Sequence, residues 1–125
     1  MPTLSAYLIE PQLVFVDYLQ RVLAEAGLTV VATSNEIDAK DIAAHDPAAV
    51  FVDVDFFARG GPNALCRIRQ ATRSAALIAF CHSADPTYAA SCMISGADAV
   101  ISKEAEIERV LSSLRQAVAA TPSAN

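Results

Sequence analysis

The chain has 125 residues, enough for one domain with a real core, and a 54% hydrophobic content excludes a disordered chain. A net charge of −5, with Lys and Arg scattered along the sequence, argues against a nucleic-acid surface. No apolar run reaches the length of a membrane span, and the start MPTLSAYLIEP lacks the basic-then-apolar pattern of a secretory signal, so a cytoplasmic location without membrane contact is expected. Three cysteines, Cys66, Cys81 and Cys92, show no zinc-type spacing, and an odd count fits reduced thiols.

Two periodicities alternate along the chain. Leu4 to Ile9 is short, apolar and strand-like. Phe15, Leu19, Val22, Leu23 and Ala26 then recur at helical spacing, with Gly27 as the stop. Residues 28–33, LTVVAT, form a second strand, and Thr33-x-x-Glu36 fits a capping box for a helix to about Ala44. Ala48 to Asp53 is a third strand, apolar enough for burial on both faces. Pro62 suits the first turn of a helix to about Ala71, whose Arg67, Arg69 and Arg73 form its wet face. Ala76 to Cys81 is the fourth strand. Asp85-Pro86 is an N-cap and first-turn pair for a helix that Gly96 closes. Ala99 to Ser102 is a short fifth strand, and Ile107, Val110, Leu111, Leu114 and Val118 stripe a last helix before the tail TPSAN.

Five strand–helix units in a row predict an α/β fold with a parallel sheet covered on both faces. Such sheets bind ligands beyond the carboxyl ends of their strands, where the strand order reverses. The residues at those ends are Glu10, Thr33, Asp53, Cys81 with His82, and Lys103. Glu10 and Asp53 offer the hard oxygen ligands that Mg²⁺ takes, and Lys103 can neutralise a bound anion such as a phosphoryl group. Glu10 reads equally well as a cap of the first helix. After the first strand comes EPQLV, with no glycine-rich phosphate loop, so the rim suits one small charged group at Asp53 better than a nucleotide.

At this point the chain resembles the response-regulator receiver domains of two-component signalling, over about residues 4–118. Asp53 falls on the family's phosphoacceptor. DVDFFARGG resembles D-x-x-M-P-x-x-x-G, with Phe56 and Phe57 in place of Met-Pro and Gly61 on the glycine. ISGADAVISK resembles the stretch that ends on the family lysine, here Lys103. The resemblance implies a flavodoxin-like (βα)5 fold of strand order 2-1-3-4-5, in a single domain over residues 1–125 with 119–125 as a tail. It implies phosphoryl transfer to Asp53 from a histidine kinase or phosphotransfer protein. Lys103 would pair with the phosphoryl group, and Cys81 stands at the Thr/Ser position. Mg²⁺ would be held by Glu10, Asp53 and the backbone carbonyl of Asp55. It implies a signalling module rather than an enzyme, with at most self-catalysed phosphorylation and dephosphorylation of Asp53.

Several positions depart from the family pattern. Pro11 stands where the second acid of the pair belongs, and its ring supplies no ligand. Cys81, His82, Val100 and Glu104 replace a hydroxyl residue, a small residue, an aromatic switch residue and a proline. These departures keep a rival reading open, a phosphorylation-independent module acting by dimerisation or partner docking. A small enzyme or flavin protein of the same fold is opposed by the missing phosphate loop and nucleophile–base pair. Leu13, Val14, Phe15 and Val16 make the first helix apolar over more than one face, which points either to a partner surface or to cover by the loop after the third strand. A homodimer through that helix, or through the last two helices, is expected. Phe56 and Phe57 are read as a plug of the pocket or as an exposed patch.

Overall fold

The computed structural model describes residues 4–57, 61–82, 85–104, 108–109, 111–112 and 115–116. The elements run β1 (Leu4–Ile9), α1 (Leu13–Glu25), β2 (Leu28–Ser34), α2 (Ala39–His45), β3 (Ala49–Asp53), a short 3-10 turn (Val54–Phe57), α3 (Gly61–Ala71), β4 (Ala76–Cys81), α4 (Pro86–Ile94) and β5 (Ala99–Ser102). Residues 108–109, 111–112 and 115–116 are helical, and Leu111 is buried in the core. The rest of the expected last helix and the TPSAN tail lie outside the described residues.

All strand pairs are parallel, in the order β2-β1-β3-β4-β5. Every residue of β3 and β4 is buried, because helices cover both faces of the sheet. Alternation along the strands divides the core in two. Leu8, Phe51, Ile78 and Phe80 meet Leu19, Val22 and Leu23 of α1 on one face. On the other, Tyr7, Ile9, Val50, Val52 and Leu77 meet Ile42 of α2, Leu65 and Ile68 of α3, and Cys92 of α4. Each fully buried Leu, Ile or Phe side chain contributes about 1.5–3 kcal/mol over leaving it exposed.

The helix ends follow local chemistry. The α1 helix stops where Gly27 takes φ +85°, a left-handed value that a residue with a Cβ adopts at a cost. Asp85 caps α4 by accepting from the Thr87 N–H at 3.0 Å, with Pro86 in the first turn. The expected Thr33–Glu36 capping box does not form. Pairing with Leu8 and Ile9 draws Thr33 and Ser34 into β2. The Ser34 hydroxyl then closes a local turn on Glu36, and Asp38 caps α2 by accepting from the Asp41 N–H at 3.1 Å. Only seven residues long, α2 is tied to the sheet where the Tyr7 hydroxyl donates to Asp41 Oδ2 at 2.6 Å, with the His45 ring edge-on to Tyr7.

Arg69 also departs from expectation. It is no wet-face residue but a half-buried clasp, whose guanidinium reaches Gly96 O, Thr72 O, Arg73 O, Ala75 O and Asp98 Oδ2 at 2.8–3.3 Å. Arg67 and Arg73 are exposed.

Candidate functional site

Strand order reverses at β1, which pairs with β2 on one side and β3 on the other. Ile9 sits opposite Val52, so the next rung along the rim brings Glu10 beside Asp53. The Lys103 N–H donates to Cys81 O at 2.8 Å, which extends the β4–β5 ladder by one residue and carries Lys103 to the same rim. Three distant segments of sequence therefore meet at one point.

There Lys103 Nζ donates to Asp53 Oδ2 at 2.5 Å and to Glu10 Oε1 at 2.9 Å. All three side chains are 2–6% exposed. The second Asp53 oxygen accepts from the Asp55 N–H at 3.0 Å. Glu10 Oε2 is buried and has no hydrogen-bond partner. The Lys103 ammonium also lies 4.5 Å from the centre of the Phe15 ring, a cation–π distance. Phe15 enters the site from the first turns of α1. Its sequence spacing marks it only as a core residue, and its place one turn beyond the first rim acid was the available signal.

Burial and the neighbouring Asp53 push the Glu10 carboxyl up to about 7, against the opposing pull of Lys103. For Lys103 burial works against the charged form, but the bonds to Asp53 and Glu10 prevail and hold the ammonium above its ordinary value. The pocket thus contains a firmly charged cation and an acid that exchanges a proton near neutrality. Burial, and secondarily the nearby Asp55, pushes the Cys81 thiol up, so it stands in the site as a neutral, 2%-exposed group.

The other rim residues fall elsewhere. Thr33 is exposed on the edge strand β2 and does not join the site. His82 is exposed, and its backbone N–H donates to Asp55 Oδ2 at 2.6 Å, tying the end of β4 to the turn after β3. Val100 is half-buried against the core on the α4 side. The reading of Phe56 and Phe57 as plug or patch rests on side chains outside the described residues. Leu13 and Val14 are 82% and 87% exposed, and with Gln12, Phe15, Tyr18 and Lys103 they line an open groove of about 860 Å³.

The donor set does not fit a protein-held Mg²⁺. Two side-chain carboxylates, Glu10 and Asp53, share the rim, and the Lys103 ammonium already bridges them. The expected Asp55 backbone carbonyl carries no charge, the Asp55 carboxylate is engaged by the His82 N–H, and Pro11 brings no side-chain oxygen. Among the described residues no three His, Cys, Asp or Glu side chains gather as metal ligands.

A response regulator from Thermotoga maritima shares the fold, with a TM-score of 0.82 at 19% identity over 94% of this chain and 99% of that one. A LuxR-family two-component response regulator from Aurantimonas matches with a TM-score of 0.79 at 20% identity, over 95% of this chain and 87% of that one. A response regulator protein from Burkholderia pseudomallei, solved with a phosphorylated aspartic acid, a calcium ion and citrate, matches at 0.75 and 21% identity over 92% and 68%. No curated protein matches the chain in sequence. No helix among the described residues is long and apolar enough to cross a membrane. The response regulator receiver domain family matches residues 7–115, nearly the whole of the (βα) array with Asp53 and Lys103 inside it, and the chain belongs to that family.

Proposed function

We propose that the domain is a phosphoacceptor in a two-component relay and that Asp53 receives the phosphoryl group from a histidine kinase or phosphotransfer protein. The observation that supports this reading most is the bond from Lys103 Nζ to Asp53 Oδ2 at the carboxyl rim of the sheet. It holds a nucleophilic carboxylate beside a fixed positive charge, which is most of what phosphoryl transfer asks of a protein.

An Asp53 oxygen attacks phosphorus in line with the P–N bond of a phosphohistidine. The new O–P bond forms as the P–N bond breaks, and the departing imidazole nitrogen takes a proton from solvent. Lys103 turns from the carboxylate to the phosphoryl oxygens and offsets their charge. A proton on Glu10 lessens repulsion between the pocket and the incoming anion. The acyl phosphate carries about two negative charges where the carboxylate carried one, and that change is the signal passed to partner surfaces. With a thiol at Cys81 in place of a hydroxyl, and Val100 in place of an aromatic ring, the relay through β4 and β5 is weak.

Intact mass after incubation with a phosphoramidate donor in Mg²⁺-containing buffer tests the proposal. A phosphoryl adduct on the parent that is absent from Asp53→Asn supports it. No adduct on a folded parent overturns it and leaves Asp53 as a structural acid.

A further inference from the structure

Receiver domains generally bind Mg²⁺ at this rim, yet the rim of this chain is assembled differently. Glu10 and Asp53 bring two formal negative charges, and Lys103, bonded to both, cancels one of them. A site with an acid in place of Pro11 would keep two negative charges after the same cancellation, matching a dication. Here a dication would exceed the charge that it meets. The backbone carbonyl of Asp55 would add no charge, and recruiting its carboxylate would break the 2.6 Å bond to the His82 N–H at the end of β4. The ring of Pro11, next in sequence to Glu10, can neither ligate nor order a water.

We infer that this pocket works without a divalent ion, with the Lys103 ammonium as its resident cation, and that the single residue Pro11 is what separates it from a Mg²⁺ site. The inference concerns the same site as the proposed phosphoryl transfer but does not depend on that transfer taking place. The ammonium lies over the Phe15 ring as well as between the two carboxylates, so three groups fix its position. Mg²⁺ keeps most of its water and is held through one or two carboxylates whose charge is free to meet it. Here both carboxylates are already bonded to the ammonium, so an incoming dication would have to displace Lys103 or share their charge with it.

The test is direct binding of MgCl2 by the full chain at constant ionic strength, read by titration calorimetry and by the shift in melting temperature. Neither readout involves phosphorylation, so a failure here is distinct from a failure of the acceptor role. The parent is expected to show no saturable heat and no shift beyond that given by KCl. Pro11→Asp is expected to gain a saturable Mg²⁺ response, at least roughly tenfold in affinity, while Pro11→Asn gains little, showing that charge and not loss of the ring is responsible. Saturable binding by the parent that disappears in Asp53→Asn would overturn the inference. A folded Pro11→Asp that stays silent would overturn the assignment of the deficit to Pro11.

Discussion

At the carboxyl ends of the strands Lys103 bonds Glu10 and Asp53, and at the amino ends Arg69 bonds Asp98 together with four backbone carbonyls. Both clusters set a cation against carboxylate oxygen, and both join segments far apart in sequence. The Arg69 cluster is complete. Its planar fork meets an acceptor on every side, and the Asp98 carboxylate also accepts from the Leu77 N–H at 2.8 Å. The Lys103 cluster leaves Glu10 Oε2 without a partner and holds a carboxyl near a neutral titration point. Saturated bonding at one end locks α3 and β4 to the turn before β5. Unfinished bonding at the other leaves charge available to an incoming group. A fully bonded cluster and one with a partnerless buried oxygen therefore stand at opposite ends of one sheet.

The contrast breaks most readily at Lys103. Lys103→Met leaves two buried carboxylates facing each other and is expected to lower stability by about 3–5 kcal/mol at pH 8. At pH 5 the loss should be smaller, since Glu10 then takes a proton. Urea unfolding at both pH values decides this, and an equal loss at both would remove Glu10 from the explanation. Next in size is the pH dependence of the parent. The Glu10 carboxyl titrates near 7 when folded and at about 4.3 when unfolded, so the native state binds the extra proton between them. Its stabilisation is full below the unfolded value and disappears as pH rises through 7, a fall on the order of 3–4 kcal/mol. Glu10→Gln should flatten the curve of unfolding midpoint against pH, and an unchanged slope would assign the titration to another group. Smallest is Arg69→Ala, expected to cost about 2 kcal/mol. Urea unfolding measures that cost, and a midpoint equal to the parent's would show that the clasp does not hold α3 to the turn before β5.

Sequence made the strands legible because β3 and β4 are buried on both faces and so read as unbroken apolar runs. It also made Glu10, Asp53 and Lys103 legible as a group, since each ends a strand on the rim where the order reverses. Two features escaped it for the same reason. The start of α2 was misplaced because β2 gains two more rungs against β1, a long-range pairing that overrides the local Thr33–Glu36 pattern. Arg69 reads as a surface charge from its helical position, and only the α4–β5 turn, 27 residues away, reveals its acceptors. Likewise nothing in DVD announces that Asp55 is spent on the His82 N–H. That bond exists because β3 and β4 end side by side.

The ring of Phe15, already noted beneath the Lys103 ammonium, also stacks on Tyr18 at 5.5 Å and stands edge-on to Phe80 at 5.7 Å, with Phe51 beyond at 6.1 Å. The chain contains no tryptophan and three tyrosines, so its near-ultraviolet emission and circular dichroism come from tyrosine without a brighter chromophore over them. Tyr18 is one ring removed from the cation that would move under the phosphoryl transfer proposed for Asp53. Departure of Lys103 from the face of Phe15 would alter the field across that stack, so tyrosine optics offer a label-free readout of the pocket.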